Sequence, residues 1–168
     1  VRPTCSVNPV VGNELEWQAN FRPAERPKCV VVVGGGVAGC EAARVAAMRG
    51  HKVVLFEQGK RLGGQLLIAA KAPGRDSFED QVYFEENALA RLGVEVRLET
   101  CADSDTIRAL APEAVVIATG ARPRVPENIP GIGLGHVVQG WDVLLGRANT
   151  GERVALVSQE TGLRRSTS

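Results

Sequence analysis

A glycine-rich turn between two apolar runs constrains this chain more than any other feature. Residues 29–33 read CVVVV and are followed at 34–39 by GGGVAG; a second run, KVVLF, ends at the carboxylate Glu57. This pattern indicates an apolar strand, a glycine turn, a helix of small residues, a second strand and a terminal acid. The same order of elements forms the βαβ unit that binds dinucleotides. The sequence therefore predicts two parallel strands joined by a helix over 37–49.

The glycines of this GxGxxG pattern have separate roles. Gly34 permits the tight turn, Gly36 has no Cβ to block an approaching pyrophosphate, and Gly39 lets the helix pack closely on the strand. The first N–H groups of the helix, at Val37 and Ala38, have no intrahelical acceptor, so with the helix dipole they attract an anion. A glycine turn without a ligand is the alternative interpretation, and the surrounding strands and helix argue against it.

Glu57 bears on the choice of dinucleotide. A carboxylate at the end of the second strand accepts hydrogen bonds from ribose hydroxyls but repels a 2′-phosphate. The sequence therefore predicts an adenine dinucleotide and disfavours NADP at this site.

Composition and charge exclude several classes of function. The chain has 168 residues and a formal net charge of +1, with charges spread along it, so neither nucleic acid nor an anionic membrane is expected as a partner. No apolar run is long enough for a membrane span, and we expect a cytoplasmic protein. The chain starts at Val1 rather than a methionine and ends in RRSTS, which predicts a fragment.

The cysteines do not form a metal-binding or disulfide pattern. Cys5, Cys29, Cys40 and Cys101 have no CxxC or Cys/His spacing, so spacing alone predicts neither zinc nor a disulfide framework. Cys29 and Cys40 lie in apolar surroundings and are predicted to be core residues. We find no nucleophile–base pair and no paired carboxylates, and we predict no catalytic residue.

Two further turns are candidates for the same site. Residues 58–66 read QGKRLGGQL, and the Gly63–Gly64 pair could bring backbone N–H groups and Arg61 toward a pyrophosphate; a flexible surface loop is an equal alternative. Residues 114–118 read AVVIA and predict a strand buried on both faces, ending in Thr119 and Gly120. Open α/β sheets place ligands at such strand ends.

The remaining patterns complete an α/β fold. They predict a helix capped by Asp76, a half-exposed edge strand over 94–98, a short helix over 105–110, a helix near Trp141 and a strand over 153–157. The predicted fold is Rossmann-like, with a central parallel sheet flanked by helices, and truncated. We assign an extended linker to 1–27, a dinucleotide-binding domain to 28–140 and the start of a second nucleotide-binding domain to 141–168.

Four motifs resemble, in order, those of flavoproteins with two dinucleotide-binding domains. The chain is most similar to the C-terminal region of NADH:flavin oxidoreductases, which include 2,4-dienoyl-CoA reductase and trimethylamine dehydrogenase. Two details narrow the resemblance: CSVNP at residues 5–9 resembles the segment with the last cysteine ligand of their [4Fe–4S] cluster, and APGR follows at 72–75. The four motifs are GxGxxG with Glu57, LGGQL at 62–66, ATGARPR at 118–124 and IPGI at 129–132.

This resemblance implies FAD, or ADP in its place, at the glycine turn, with NAD(P)H as co-substrate. It also implies an FMN-holding barrel in another part of the same polypeptide and a [4Fe–4S] cluster with Cys5 as one ligand. Electrons pass between nicotinamide or substrate and FMN through FAD and the cluster. The implied cofactor-binding residues are Gly34, Gly36, Val37, Ala38, Gly39, Glu57, Gln58, Arg61, Gly64, Gln65, Leu66, Ala118, Thr119 and Gly120.

The chain also departs from the family pattern. It has no barrel sequence, Cys5 is the only one of the expected cluster ligands, and a cluster needs four. Residues 158–162, SQETG, have one glycine where a second fingerprint would lie. Two other hypotheses therefore stay open: a non-catalytic module that holds ADP or FAD, and an NAD-binding oxidoreductase domain in which Glu57 selects NAD.

Overall fold

The fold is described by a computed structural model that covers residues 3, 5 and 7–157. The described chain has four strands and six helices. In chain order they are α1 (Glu14–Asn20), β1 (Cys29–Val33), α2 (Val37–Met48), β2 (Lys52–Phe56), α3 (Gln65–Ala69), α4 (Phe78–Arg91), β3 (Glu95–Arg97), α5 (Ser104–Ala109), β4 (Ala114–Ile117) and α6 (Gly140–Leu144).

The four strands form one parallel sheet in the order β3-β2-β1-β4. In register, Val31 of β1 lies between Val54 of β2 and Val115 of β4. The strand order changes direction at β1, because β2 and β3 lie on one side of it and β4 lies on the other. At such a point an α/β sheet opens a ligand-binding crevice at the carboxyl ends of its strands. The predicted Rossmann-like fold is confirmed, as are β1, β2 and the edge position of β3.

The core lies on both faces of the sheet because successive side chains of a strand point to opposite sides. On one face, Val32 and Leu55 pack with Cys40 of α2 and Leu89 of α4. On the other face, Val31, Val54 and Phe56 pack with Ile107 and Leu110 of the α5 segment. Burying each large apolar side chain contributes roughly 1.5–3 kcal/mol, so the central strands β1 and β2 anchor the turns that follow them.

Strand β4 is more exposed than its sequence predicts. Val116 packs against the core, but Val115 and Ile117 are 42% and 74% exposed. Within the described residues, the cluster on their face of the sheet centres on β1, β2 and α5 and does not include them. The prediction that β4 is buried on both faces was wrong, because an apolar run shows what a strand can bury and not whether an element covers it.

The segment before β1 contains a helix that was not predicted. Trp17 of α1 stacks on Phe21, the residue that follows the helix, with ring centroids 5.7 Å apart. The Nε of Arg49, at the end of α2, donates to the Arg22 carbonyl at 3.1 Å, and Ala24 N–H donates to the Arg49 carbonyl at 2.8 Å. The described part of the arm over 1–27 is therefore partly helical and hydrogen-bonded to the domain.

Two other predictions need correction. Residues 153–157, predicted as a strand, form no strand. Helix α4 begins at Phe78 with Ser77 as its N-cap, so Asp76 is not the cap.

The described residues up to Arg124 and those from Val125 onward form two separate compact units. The domain boundaries drawn from the sequence remain predictions. Across residues 3, 5 and 7–157, no helix combines the length and apolar character needed to cross a membrane.

Candidate dinucleotide site

The predicted site residues come together at the carboxyl ends of the parallel strands. The Gly34–Gly36 turn follows β1, Glu57 follows β2, and residues 118–120 follow β4. Gly36 forms a parallel bridge with Gly63, and Gly63 N–H donates to the Gly35 carbonyl at 2.7 Å. The second glycine pair is therefore held against the first glycine turn and is not a detached surface loop.

The glycines of the first turn differ in what surrounds them. A Cβ on Gly34 would lie 2.3 Å from the Ala118 carbonyl oxygen, and one on Gly39 would lie 1.8 Å from the Gly34 oxygen. A Cβ on Gly36 would meet nothing within 4 Å. Gly34 and Gly39 are thus required by packing, whereas Gly36 borders open space.

This open space is bounded by bare backbone and by a helix N-terminus. Gly64, on the second glycine turn, approaches so closely that its Cβ would lie 3.1 Å from the Gly36 Cα. Gly36 is the N-cap of the 12-residue helix α2 and has no side chain to cap it. The N–H groups of Val37 and Ala38 therefore remain available to an anion, because the first turn of a helix has no internal acceptors. The arrangement fits a pyrophosphate.

Glu57 lies at the end of β2, as predicted, and is half-buried. Its Oε2 accepts from Gly35 N–H and its Oε1 from Gly59 N–H, both at 2.6 Å. The neighbouring Gln58 is exposed. The carboxylate thus lies against the glycine turn, where it can also accept hydrogen bonds from a ribose.

Gln65 joins the second glycine turn to the segment after β4. Its Nε2 donates to the Ala121 carbonyl at 3.0 Å, and a Cβ on Gly120 would lie 3.4 Å from that nitrogen. Leu66 beside it is half-buried in α3, and Thr119 is exposed. The predicted residues of the two turns are therefore neighbours.

Arg61 lies beside two acidic side chains of α4. Its guanidinium lies 3.6 Å from Glu86 Oε1 and 3.9 Å from Glu79 Oε2, both on α4, and its side chain is 48% exposed. Exposed ion pairs of this kind contribute only about 0–1 kcal/mol, so a phosphate could compete for Arg61. Its contact with a cofactor stays a prediction.

Cys5 is exposed, and nearby backbone N–H groups stabilise its thiolate. Its Sγ accepts from Asn8 N–H at 3.4 Å, and the N–H groups of Asn8 and Val7 lower the pKa of Cys5, which favours the thiolate that metals bind. In the described part of the chain, no group of three or more His, Cys, Asp or Glu side chains could hold a metal. Cys5 can supply one ligand to a cluster but cannot hold one alone.

Cys40 is confirmed as a core residue. Its thiol is buried under the turn and donates to the Gly35 carbonyl at 3.3 Å. Burial is the main cause that raises its pKa to about 12, with contributions from Glu85 and Glu57. The thiol is therefore protonated at neutral pH and packs as a small apolar group.

Glu85 is buried on α4, in a place that no sequence motif predicts. Its Oε1 accepts from Gln81 Nε2 at 2.9 Å, but Oε2 has no hydrogen-bond partner among the described residues. Burial, and then the charge of Glu41, raise the pKa of Glu85, against smaller opposing effects of Arg44 and Gln81. A glutamate in an amphipathic helix gives no signal of this environment.

We expect the free energy of unfolding of Glu85→Gln, relative to that of the native chain, to increase as pH rises. The folded-state pKa of Glu85 is above its unfolded value, so the native chain loses stability as pH rises from about 4.3 through the folded pKa. The variant has no such ionisation. Urea unfolding at pH 4.5 and pH 8 measures the difference, with Glu86→Gln as the control on the same helix. The prediction would be contradicted if the free energies of unfolding of Glu85→Gln and the native chain differed by the same amount at both pH values.

Comparison with known proteins supports the resemblance found from the motifs. Residues 28–164 match the pyridine nucleotide-disulphide oxidoreductase family. The chain is 45% identical over 151 residues to an NADH oxidase of Thermoanaerobacter brockii, which covers 89% of this chain and 23% of the relative. It is 46% identical over 160 residues to an N,N-dimethylglycine/sarcosine dehydrogenase of Chromohalobacter salexigens. That match covers 90% of this chain and 23% of the relative.

A solved structure shares the fold over nearly the same length. A 2-naphthoyl-CoA reductase has a TM-score of 0.81 at 38% identity, over 88% of this chain and 22% of that one. The chain thus spans about a quarter of the length of these proteins, all of which are named as oxidoreductases. Because the family match covers most of the sequence, the chain belongs to the family of pyridine nucleotide-disulphide oxidoreductases.

Proposed function

We propose that this chain is the FAD-binding part of an NAD(P)H-dependent iron–sulfur flavoprotein oxidoreductase. The observation that carries the proposal is the open space at Gly36, between the start of α2 and the Gly63–Gly64 turn. FAD, NAD and ADP share the adenosine diphosphate group that such a site would bind. The LGGQL and ATG motifs favour FAD among them, because they are motifs in which the chain resembles flavoproteins.

The residues of the chain would bind and orient the cofactor. The N–H groups of Val37 and Ala38 would hold the pyrophosphate, and Glu57 would accept from the adenosine ribose. The hydrogen bond from Gln65 to Ala121 would hold the edge of the site formed by the turn after β4. Bound FAD would supply hydride and electron transfer.

Other parts of the parent polypeptide would complete the electron path. We propose that an FMN-holding barrel lies outside this chain, since the chain spans only about 23% of its curated relatives. Cys5 would be one ligand of a [4Fe–4S] cluster, and the other thiolates would come from that same outer part. The proposed location is the cytoplasm, where reduced nicotinamide is available as co-substrate.

Ligand binding to the full 168-residue chain tests the proposed function. FAD, ADP and NAD are titrated separately by calorimetry, and the complex with FAD is checked for flavin absorption bands. Tight FAD binding supports the proposal. Binding of ADP without FAD would instead favour a nucleotide-holding module, and binding of NAD without FAD would favour an NAD-dependent domain.

Replacing Cys5 with Ser is expected to remove the iron–sulfur absorption from the parent protein but to leave its flavin bands in place. The serine hydroxyl is a poor substitute for a thiolate ligand. The measurement is the visible spectrum of the protein with its flanking sequence restored, before and after NADH. Cys101→Ser is the control, because Cys101 is also exposed. An unchanged cluster in Cys5→Ser would rule out this ligand.

A further inference from the structure

We infer that Glu57 is a positioning residue that fixes the Gly35 peptide and shapes the phosphate site before a nucleotide binds. This role differs from contact with the ribose, which is the usual reason for an acid at this position. The inference rests on the proposed function for its binding consequences, but the contacts that carry it are all within the chain.

The Glu57 carboxylate joins two turns. Its Oε2 accepts from Gly35 N–H, in the turn after β1, and its Oε1 accepts from Gly59 N–H, in the turn after β2. Both distances are 2.6 Å. Hydrogen bonds to an ionised carboxylate are shorter and roughly twice as strong as neutral ones, so these two bonds restrain the turns together.

The Gly35 peptide is also held through its carbonyl oxygen. That oxygen accepts from Gly63 N–H at 2.7 Å and from the buried Cys40 thiol at 3.3 Å. Glycine has more backbone conformations open to it than any other residue. Restraint of Gly35 on both sides therefore fixes the neighbouring Gly36 beside the Gly63–Gly64 turn.

The same carboxylate can still bind a ribose. An ionised carboxylate has about four lone-pair positions, and the two backbone N–H groups use two of them. A glutamine has one acceptor oxygen and one NH₂ group. Whichever way its amide is turned, the NH₂ faces a backbone N–H, either at Gly35 or at Gly59, so Glu57→Gln loses one bond and places two donors together.

A nucleotide without ribose hydroxyls separates the two roles. If Glu57 acted only through the ribose, Glu57→Gln would not weaken the binding of 2′,3′-dideoxy-ADP. If Glu57 positions the phosphate site, the variant weakens the binding of this nucleotide as well as that of ADP.

The first test is calorimetry of the full chain with ADP and with 2′,3′-dideoxy-ADP. We expect Glu57→Gln to weaken both ligands by roughly tenfold or more. The matched control is Glu99→Gln. Glu99 N–H donates to the Gly59 carbonyl at 3.0 Å, so the control removes the same charge near the same turn without touching Gly35. Equal affinity of the native chain and Glu57→Gln for the dideoxy nucleotide would overturn the inference.

The second test needs no ligand. Amide hydrogen exchange at Gly35 and Gly59 is expected to accelerate by about tenfold or more in Glu57→Gln, while exchange at Val31 in β1 stays slow and reports an intact fold. Unchanged exchange at Gly35 would overturn the inference. If the native chain binds no nucleotide, the proposed function fails, yet this exchange measurement still decides the role of Glu57.

A second variant covers the case in which Glu57→Gln does not fold. Glu57→Asp keeps the charge, but its side chain is one methylene shorter and cannot span both donors. We expect faster exchange at Gly35 or at Gly59, with the other amide still protected. Full protection of both amides in Glu57→Asp would equally contradict the inference.

Discussion

Replacing Gly36 with Val is expected to abolish nucleotide binding while the fold persists. A Cβ at this position would meet no protein atom within 4 Å. The backbone of Gly36 is extended, with φ −73° and ψ −179°, which valine adopts readily. The space that the side chain would enter is the one assigned to the pyrophosphate. We expect the dissociation constant for FAD or ADP to rise at least about 100-fold, equivalent to about 2.7 kcal/mol.

Stability and binding must be measured together for this variant. Loss of glycine from the N-cap of α2 costs only about 1 kcal/mol, so thermal unfolding should change little. Gly140→Val is the matched control, because Gly140 of α6 also has open space around its Cβ position and belongs to none of the predicted motifs. Unchanged affinity in Gly36→Val would show that the site is wrongly assigned.

The sequence predicted this part of the fold well because the βαβ unit is local. Residues 29–57 contain both strands, the helix and the glycine turn, and β1 pairs directly with β2, so the patterns that define the unit lie close together in sequence. The predicted bounds of β1 therefore agree with the structure, and the predicted ends of β2 and of the helix agree to within one residue. The second glycine turn was recognised as a candidate, but its bridge to Gly36 required the structure.

The predictions that were wrong depended on contacts distant in sequence. The exposure of Ile117 depends on whether another element covers β4, and an apolar run does not show this. Helix α1 has 7 residues, too few for a clear periodic pattern. The pairing of Arg61 with α4 and the burial of Glu85 are features for which the sequence made no prediction, and they depend in the same way on how α3 and α4 pack.

Glu57 illustrates the same limit within the site. Its position after β2 predicts a ribose contact, since that is what the spacing from Gly36 indicates. Its bonds to Gly35 and Gly59 arise from the way the two turns face each other. A motif thus predicts which groups meet the ligand, while the structure is needed to show which groups hold the protein in place.

Replacing Gly39 with Ala is expected to cause the largest loss of stability, in contrast to the usual effect of alanine in a helix. Alanine normally stabilises a helix interior by about 1 kcal/mol relative to glycine. Here the added Cβ would lie 1.8 Å from the Gly34 carbonyl oxygen and 3.3 Å from the Ala118 Cβ. Overpacking typically costs about 1–3 kcal/mol of stability and occasionally more. Because this contact is with backbone, we expect its cost at the upper end of that range.

The surroundings of Gly39 cannot relax easily, which is why a single methyl group should matter. Gly34 N–H donates to the Phe56 carbonyl at 2.8 Å, and Gly34 itself lies against Ala118, so α2 would have to move away from the sheet. A loss of about 3 kcal/mol corresponds to a fall of roughly 6–12 °C in Tm for a chain of this size. Thermal unfolding followed by circular dichroism measures it, with Gly36→Ala, the same change at an open position, as control. An equal Tm for both variants would contradict the close approach of α2 to β1, and with it the argument that Gly39 serves the fold while Gly36 serves the ligand.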